Sequence, residues 1–282
     1  MPLELRWEVI EDITIGFKSR LIGEQNPSAY AGIWDDQHSC VLVRRFIGNF
    51  GGLVVAEKKA ALSMHHKNIL GLIGYYKSEK TTILVSPYAS RGTLEKNLFG
   101  FKGKLVLTFQ DKMKIAIGVA RGVRYMHQEC PRGPIVHGGL LASNILLRHD
   151  FHPLISGFGQ AIWLHLRHGF QLENRCQLKD LLDQDLMALV KSDIQSFGIL
   201  LLRLFCRSSA PEDDKTLIQW ARPLIFERAF PLLLDEGLED VDPHGIYKVM
   251  CAAAYCTSPN PELRPCMSEV LSILKEDKFC SM

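Results

Sequence analysis

Apolar residues follow two different rhythms along the chain, and the change of rhythm divides it. Up to about residue 85 they come in short runs bounded by turn residues, among them CVLVRRF (40–46), GLIGYYKSE (71–79) and TTILVS (81–86). Runs of this length and composition predict strands. One helical stretch, Val54 to Met64, interrupts them, and Trp7 to Phe17 reads as a lead-in segment. Beyond residue 90 the spacing becomes helical. Thr93 opens a short capped helix over Leu94 to Leu98, and Thr108 with Asp111 three residues on is a capping-box-like start. The helix it opens puts Ile115, Val119, Val123 and Met126 on one face and stops near Pro131 and Gly133. ILL (145–147) and PLI (153–155) suit a small hairpin. KSDIQSFGILLLRLFC (191–206) is apolar with few breaks, which predicts a helix buried on most sides. Met267, Val270, Leu271 and Leu274 give the final helix its apolar stripe.

Composition narrows the function classes. A chain of 282 residues can bury a substantial core in two lobes. Its 47% apolar and 23% charged residues are an ordinary globular balance. Lys plus Arg (33) nearly equals Asp plus Glu (31), so no strong field invites nucleic acid or an acidic membrane. No run approaches 18 uncharged apolar residues, so no membrane-spanning helix is expected. The start, MPLELRWEV, lacks the basic-then-apolar order of a signal peptide, and Pro2 stands where myristoylation needs glycine. Cys280 lies one place too close to the end for prenylation. The eight cysteines form no Cys-x-x-Cys pair and no zinc-spaced cluster, which reads as thiols in a reducing cytosol.

The densest candidate chemistry is IVHGGLLASNILLRHDFHPLISGFG, residues 135–159. It resembles the catalytic centre of a protein kinase. In such centres a His-Arg-Asp loop supplies a base, an Asn further on holds a metal, and an Asp-Phe-Gly turn holds the metal bridging the ATP phosphates. Here His137 is followed by Gly138 and Gly139, Asn144 stands at the matching distance, and Gly157-Phe158-Gly159 fills the turn. Both acid positions, 139 and 157, are glycine.

The same resemblance extends along the chain. LIGEQNPSAYAGIW (21–34) sits where a glycine-rich phosphate loop is expected, yet only Gly23 survives before Tyr30 and Gly32. Pro27 removes an amide donor and Glu24 brings a negative charge, so a plain hairpin is expected. Arg44 replaces the ATP-binding lysine, and Glu57 occupies the position that pairs with it. An Arg44–Glu57 pair is read as a bridge from helix to sheet rather than a nucleotide clamp. Ser86 falls at the gatekeeper and Pro87-Tyr88-Ala89 at the hinge, where the Pro87 carbonyl and Ala89 amide match the adenine-recognition groups. Leu141 replaces the loop lysine, and Asp150, the only acid between the two motifs, reads as a surface turn residue. From Gln160 to Val190 there is no Ser, Thr or Tyr, so phosphorylation of a hydroxyl cannot switch that segment. An Ala-Pro-Glu ending is missing, which leaves Arg264 without the partner the resemblance implies. Asp193 matches the acid that hydrogen-bonds the catalytic-loop backbone.

With WARPLI, KSDIQSFGILLLRL and CTSPNPELRPCMSEVLSIL, these matches resemble the plant receptor-like and receptor-like cytoplasmic Ser/Thr kinases, a group related to Pelle, over roughly Phe17 to Lys275. The resemblance implies an α+β, bilobal fold: a β-rich lobe with one main helix (1–89, hinge 87–89) and a helical lobe (90–282). It implies a pseudokinase, with no catalytic residue, acting as a scaffold or regulator that binds a protein such as an active receptor-like kinase or its substrate. The alternative is a weak or unconventional Ser/Thr kinase or an ATP-binding switch, for which Asn144 and the hinge speak. A residual cleft of Gly23, Arg44, Glu57, Pro87, Ala89 and Asn144 is expected to hold ATP weakly and Mg²⁺ not at all. His137, Phe158, Asp193 and Arg264 carry structural roles in this reading. The expected location is the cytoplasm, with a partner providing any membrane recruitment, and no nucleic-acid partner.

Overall fold

The computed structural model describes residues 2–22, 28–34, 39–48, 50–99, 107–164, 184–234 and 243–275. The first part is a six-stranded sheet made of β1 (Leu3–Glu4), β2 (Arg20–Ile22), β3 (Ser28–Ile33), β4 (Cys40–Ile47), β5 (Gly74–Lys77) and β6 (Thr81–Pro87). Its order is β1-β5-β6-β4-β3-β2, antiparallel except for the parallel β1–β5 pair. β4 is central, with Val43 facing Val85 on one side and Tyr30 on the other.

Two helices cover the two faces of this sheet. Within the lead-in segment Trp7–Thr14 forms a helix, α1. Trp7, Ile10 and Ile13 recur every third residue, and Ile10 and Ile13 bury against Tyr30, Val41, Val43, Ile83 and Val85. At eight residues α1 is too short to persist alone, so this packing holds it. Positive φ at Ile15, Gly16 and Phe17 then turns the chain into β2. On the opposite face α2 (Gly51–Ser63) packs Val54 against Phe46, Tyr75 and Leu84. It begins three residues ahead of the expected Val54.

The second part is helical, with α3 (Leu94–Phe99), α4 (Phe109–Arg124), α5 (Gln184–Phe205), α6 (Asp214–Phe226), α7 (Phe230–Leu233), α8 (Pro243–Cys256) and α9 (Met267–Lys275). Two short strand pairings complete it: β7 (Ile135–Val136) with β10 (Ile162–Trp163), and the expected hairpin of β8 (Ile145–Leu147) with β9 (Pro153–Ile155). The long apolar run becomes α5, the axis of this part. Ile194, Phe197, Leu200, Leu201, Leu204 and Phe205 are buried on several sides of it. Gly198 lets α8 approach, since a Cβ there would lie 2.7 Å from the Cys256 Cβ. The α9 stripe of Met267, Val270, Leu271 and Leu274 is buried in the same core. Among the described residues no helix is long and apolar enough to cross a membrane.

Thr108 and Asp111 form a reciprocal capping box. The Thr108 Oγ1 accepts the Asp111 N–H at 3.2 Å, and Asp111 Oδ2 accepts the Thr108 N–H at 3.1 Å. A Thr108→Ala substitution removes one half of it and is expected to cost about 1 kcal/mol. In a two-state melt that corresponds to a fall of roughly 2–4 °C in Tm. An unchanged Tm would show that the tertiary contacts of α4 alone set its start.

Candidate functional site

The loop from His137 to Asn144 hangs from α5 by one carboxylate. Asp193, 2% exposed, accepts the His137 N–H at 2.6 Å and the Gly138 N–H at 2.9 Å. Its Oδ2 also accepts from the His127 Nε2 at 3.0 Å. Burial by itself raises the Asp193 pKa, but the hydrogen bond and charge of His127, with the two backbone N–H groups, hold it below the ordinary value. This anchor fixes the backbone of the loop whatever side chains the loop carries.

His137 is held as a neutral ring. Its Nδ1 accepts the Gly139 N–H at 3.1 Å, and its Nε2 donates to the Ser156 carbonyl at 3.0 Å. Only the tautomer protonated at Nε2 makes both bonds. Burial pushes its pKa down against the pull of the Asp193 carboxylate. The Phe158 ring packs tilted against it, 5.2 Å between centroids, and joins loop and turn through the core.

The two positions that hold acids in the family pattern differ in how they are filled. Gly157 has φ +83 and ψ 44, and a Cβ there would lie 2.4 Å from Asn144 Oδ1. The Asn144 amide occupies the volume a side chain there would need, and its Nδ2 donates to the Gly139 carbonyl at 2.7 Å. Gly139 is roomier: a Cβ would meet Gln160 Oε1 at 3.3 Å. Gly138 has φ +73, and a Cβ there would come within 2.8 Å of the Gln160 carbonyl. Mg²⁺ is normally held through carboxylates. The described residues lining the cleft include none, so this donor set does not fit the metal.

The cleft itself is present. About 730 Å³ opens between the sheet and the helical part. Ala29 and Leu42 line it from the sheet side, Leu146 from below, and Arg44 and Asn144 stand among its polar residues. Arg44 Nη1 lies 3.6 Å from Glu57 Oε1, a long ion pair, and the Arg44 Nε has no hydrogen-bond partner among the described residues. At the edge the Tyr88 N–H donates to the Cys40 carbonyl and the Ala89 carbonyl accepts the Gly92 N–H. Neither bond uses the Pro87 carbonyl or the Ala89 N–H, the two groups an adenine would need. Leu53 of α2 reaches the turn, where a Cβ on Gly159 would fall 2.2 Å from its Cδ1.

Arg44, Ala89 and Asn144 thus line one cavity, and Glu57 pairs with Arg44. Pro87 ends β6 and is not among the lining residues. Gly23, the surrounding 23–27 loop and most of the hydroxyl-free segment (165–183) lie outside the described residues. Asp150 pairs with Lys114 at 2.9 Å, and the hydrogen bond from that lysine lowers its pKa to about 2. Its charge is directed at α4 and not at the cleft. Arg264 donates from Nε to the Ser258 carbonyl and from Nη1 to the Lys191 carbonyl, both at 3.0 Å, tying the turn before α9 to α5. His127, Gln160 and Ser156 complete the frame without having been singled out in the sequence. His127 lies within the regular apolar spacing of α4 and the π-helical turn after it (Tyr125–Glu129), which gave no sign of its partner.

Comparison with known proteins agrees with this geometry. The family described as "Protein tyrosine and serine/threonine kinase" matches residues 52–274. Among curated proteins of Arabidopsis thaliana, the chain is 30% identical to the proline-rich receptor-like protein kinase PERK8 over 95% of its length and 42% of the relative's. It is 33% identical to the probable serine/threonine-protein kinase PBL7 over 77% of the chain and 61% of that protein. A third, the probable serine/threonine-protein kinase PBL5, is 34% identical over 76% and 54%. The chain therefore spans between 42% and 61% of the lengths of these relatives.

Proposed function

The chain belongs to the protein tyrosine and serine/threonine kinase family, in its plant receptor-like and receptor-like cytoplasmic branch, and from that premise we propose that it is a pseudokinase. It acts as a protein-binding module in receptor-like kinase signalling and not by moving phosphate. The observation that carries this reading is the Asn144 amide seated where a side chain at position 157 would have to be. Phosphoryl transfer depends on positioning and charge neutralisation, and the largest share comes from metal and oriented dipoles. Losing the base at 139 alone corresponds to about 10²–10⁴ in rate. Losing the metal ligand at 157 removes the cation that offsets phosphate charge.

A second reading has one observation in its favour. The 730 Å³ cleft is lined by apolar residues from both sides, so a nucleotide can enter without serving as a phosphate donor. Arg44, paired only loosely with Glu57, then supplies the charge for phosphate. In that case the chain is a nucleotide-responsive switch.

Partner and location rest on family analogy. The proposed partner is an active receptor-like kinase or its substrate, met in the cytoplasm, with membrane recruitment through that partner. The test combines γ-phosphate transfer with thermal melting. Transfer to a generic basic protein should stay at the level of a no-enzyme control. ATP should raise Tm by the same small amount with Mg²⁺ or with chelator. A rise that appears only with Mg²⁺, or transfer above the control, rejects the reading.

A further inference from the structure

Outside the cleft, three segments far apart in sequence bring cations to one place. They are the turn after α2, residues 65–67, the C-terminal half of α4, and the last residue of α9. The turn lies directly on α4, since a Cβ on Gly122 would come within 3.2 Å of the Asn68 carbonyl oxygen. The Tyr125 hydroxyl oxygen accepts the His65 N–H at 3.1 Å, and the His66 ring stacks on Tyr125 with 5.0 Å between centroids. α9 packs against α4 in the same core. Lys67, Arg121, Arg124 and Lys275 thus converge beside the half-buried His66.

The cluster is not neutralised. Among the described residues the carboxylate that acts on it is Glu129, which binds Arg124 at 2.8 Å. Lys67, Arg121 and Lys275 have no ion pair and no side-chain hydrogen bond among the described residues. The Arg124 Nε is buried without a hydrogen-bond partner there. Burial lowers the Lys275 pKa, and Arg121, Arg124 and Lys67 lower it further, so these like charges stand within reach of one another. Burial lowers the His66 pKa against the pull of Glu129, and Lys67, Arg124 and Arg121 add to the fall. The His66 Nδ1 accepts the Asn68 N–H at 3.1 Å, which leaves Nε2 as the donor of that ring. Such repulsion costs stability, and a bound anion relieves it.

The chemistry narrows the anion. None of the large exposed apolar side chains belongs to these three segments, so nothing here inserts into a lipid surface. A carboxylate brings one charge and two acceptor oxygens, whereas a phosphomonoester brings nearly two charges and three such oxygens. Several cations and a histidine donor around one point suit the second better than the first. We propose that this cluster docks a phosphorylated segment of a protein partner. Arg121, Lys67 and Lys275 hold the phosphate, the His66 Nε2–H donates to it, and Arg124 stays with Glu129 and adds charge. Phosphate is recognised here and not transferred. The inference rests on the reading of the chain as a binding module, to which it assigns a ligand.

The test titrates the full chain, without nucleotide, against fluorescein-labelled peptide pools that differ only at one central position. That position holds phosphoserine, phosphothreonine, serine or glutamate, and the flanks are randomised over uncharged residues. By fluorescence anisotropy both phosphorylated pools should bind roughly tenfold or more tightly than the serine and glutamate pools. The gap should narrow as salt rises. The pair Lys67→Gln and Lys275→Gln, both at exposed positions, should cut the advantage of phosphate by roughly tenfold. Its Tm should not fall, because like charges are being removed. Equal affinity for glutamate and phosphoserine would overturn the proposal in favour of a general acidic partner. A preference for phosphate that survives K67Q/K275Q would also overturn it, as would inorganic phosphate competing as strongly as the peptide. Charge-dependent binding to phosphatidylserine vesicles alone would do the same. Because no nucleotide is present, catalysis does not enter this readout. Phosphate transfer in the separate assay together with selective docking would reject the pseudokinase reading alone, and absence of docking without transfer would reject this site alone.

Discussion

A variant carrying both Gly139→Asp and Gly157→Asp should transfer no more γ-phosphate than the wild-type chain. The expectation does not come from the backbone at 157. Its left-handed φ of +83 is one that aspartate adopts more readily than most residues. The obstacle is the neighbour: the new Cβ would sit 2.4 Å from Asn144 Oδ1, and Asn144 is tethered by its 2.7 Å bond to the Gly139 carbonyl. Aspartate at 157 and the asparagine that would share metal binding compete for one volume, so regaining the first displaces the second. Aspartate at 139 needs only a small shift of the Gln160 side chain, whose Oε1 would lie 3.3 Å from the new Cβ. It restores a base, yet Arg44, Leu141 and the single-glycine loop stay as they are. Overpacking at 157 should also cost about 1–3 kcal/mol, seen as a lower Tm. Radiometric transfer to a basic protein is the measurement. Activity well above a no-enzyme control in the double variant would show that the two glycines alone had silenced the site.

Much of this was legible in the sequence because it depended on residue type at a fixed spacing. The apolar continuity of 191–206, the Thr108/Asp111 cap and the ILL/PLI hairpin each specify their element locally. The glycines at 139 and 157 announce missing side chains without any structure. What the sequence withheld depends on long-range contacts. Helix α1 takes its stability from a sheet formed by residues up to Val85, and its eight residues, though amphipathic, are too few to specify a helix by themselves. Asn144 occupies the volume a side chain at 157 would need, a contact between positions thirteen residues apart. His127 and Asp193 meet at 3.0 Å across 66 residues, and neither neighbourhood hints at the other.

The frame should fail where that His127–Asp193 contact is cut. In Asp193→Ala the N–H groups of His137 and Gly138 and the ring of His127 lose their common acceptor inside the core. Removing one partner of a buried charged pair typically costs about 3–5 kcal/mol. At roughly 2–4 °C per kcal/mol that is on the order of 10 °C in Tm, with no catalytic function involved. The pH dependence separates the two kinds of group. Burial keeps the His137 pKa below its ordinary value of 6.5, so the unfolded chain takes up that proton first. Stability is then full above pH 6.5 and declines as pH falls from there toward the folded value. His66, lowered likewise by burial, adds its own part. Asp193 is held below its ordinary 3.8, so its contribution is complete above that value and goes only as pH falls further. Urea melts of the wild type should therefore show one loss starting near pH 6.5 and a second below pH 4, and Asp193→Ala should keep the first and shrink the second without abolishing it, because Asp150 is also held below its ordinary value. A flat profile from pH 7 to 5.5 would mean that burial does not hold His137 neutral, and an Asp193→Ala protein within 2 °C of wild type would mean that the loop keeps its shape without the carboxylate. The preserved histidine and aspartate would then need an explanation other than the stability of the fold.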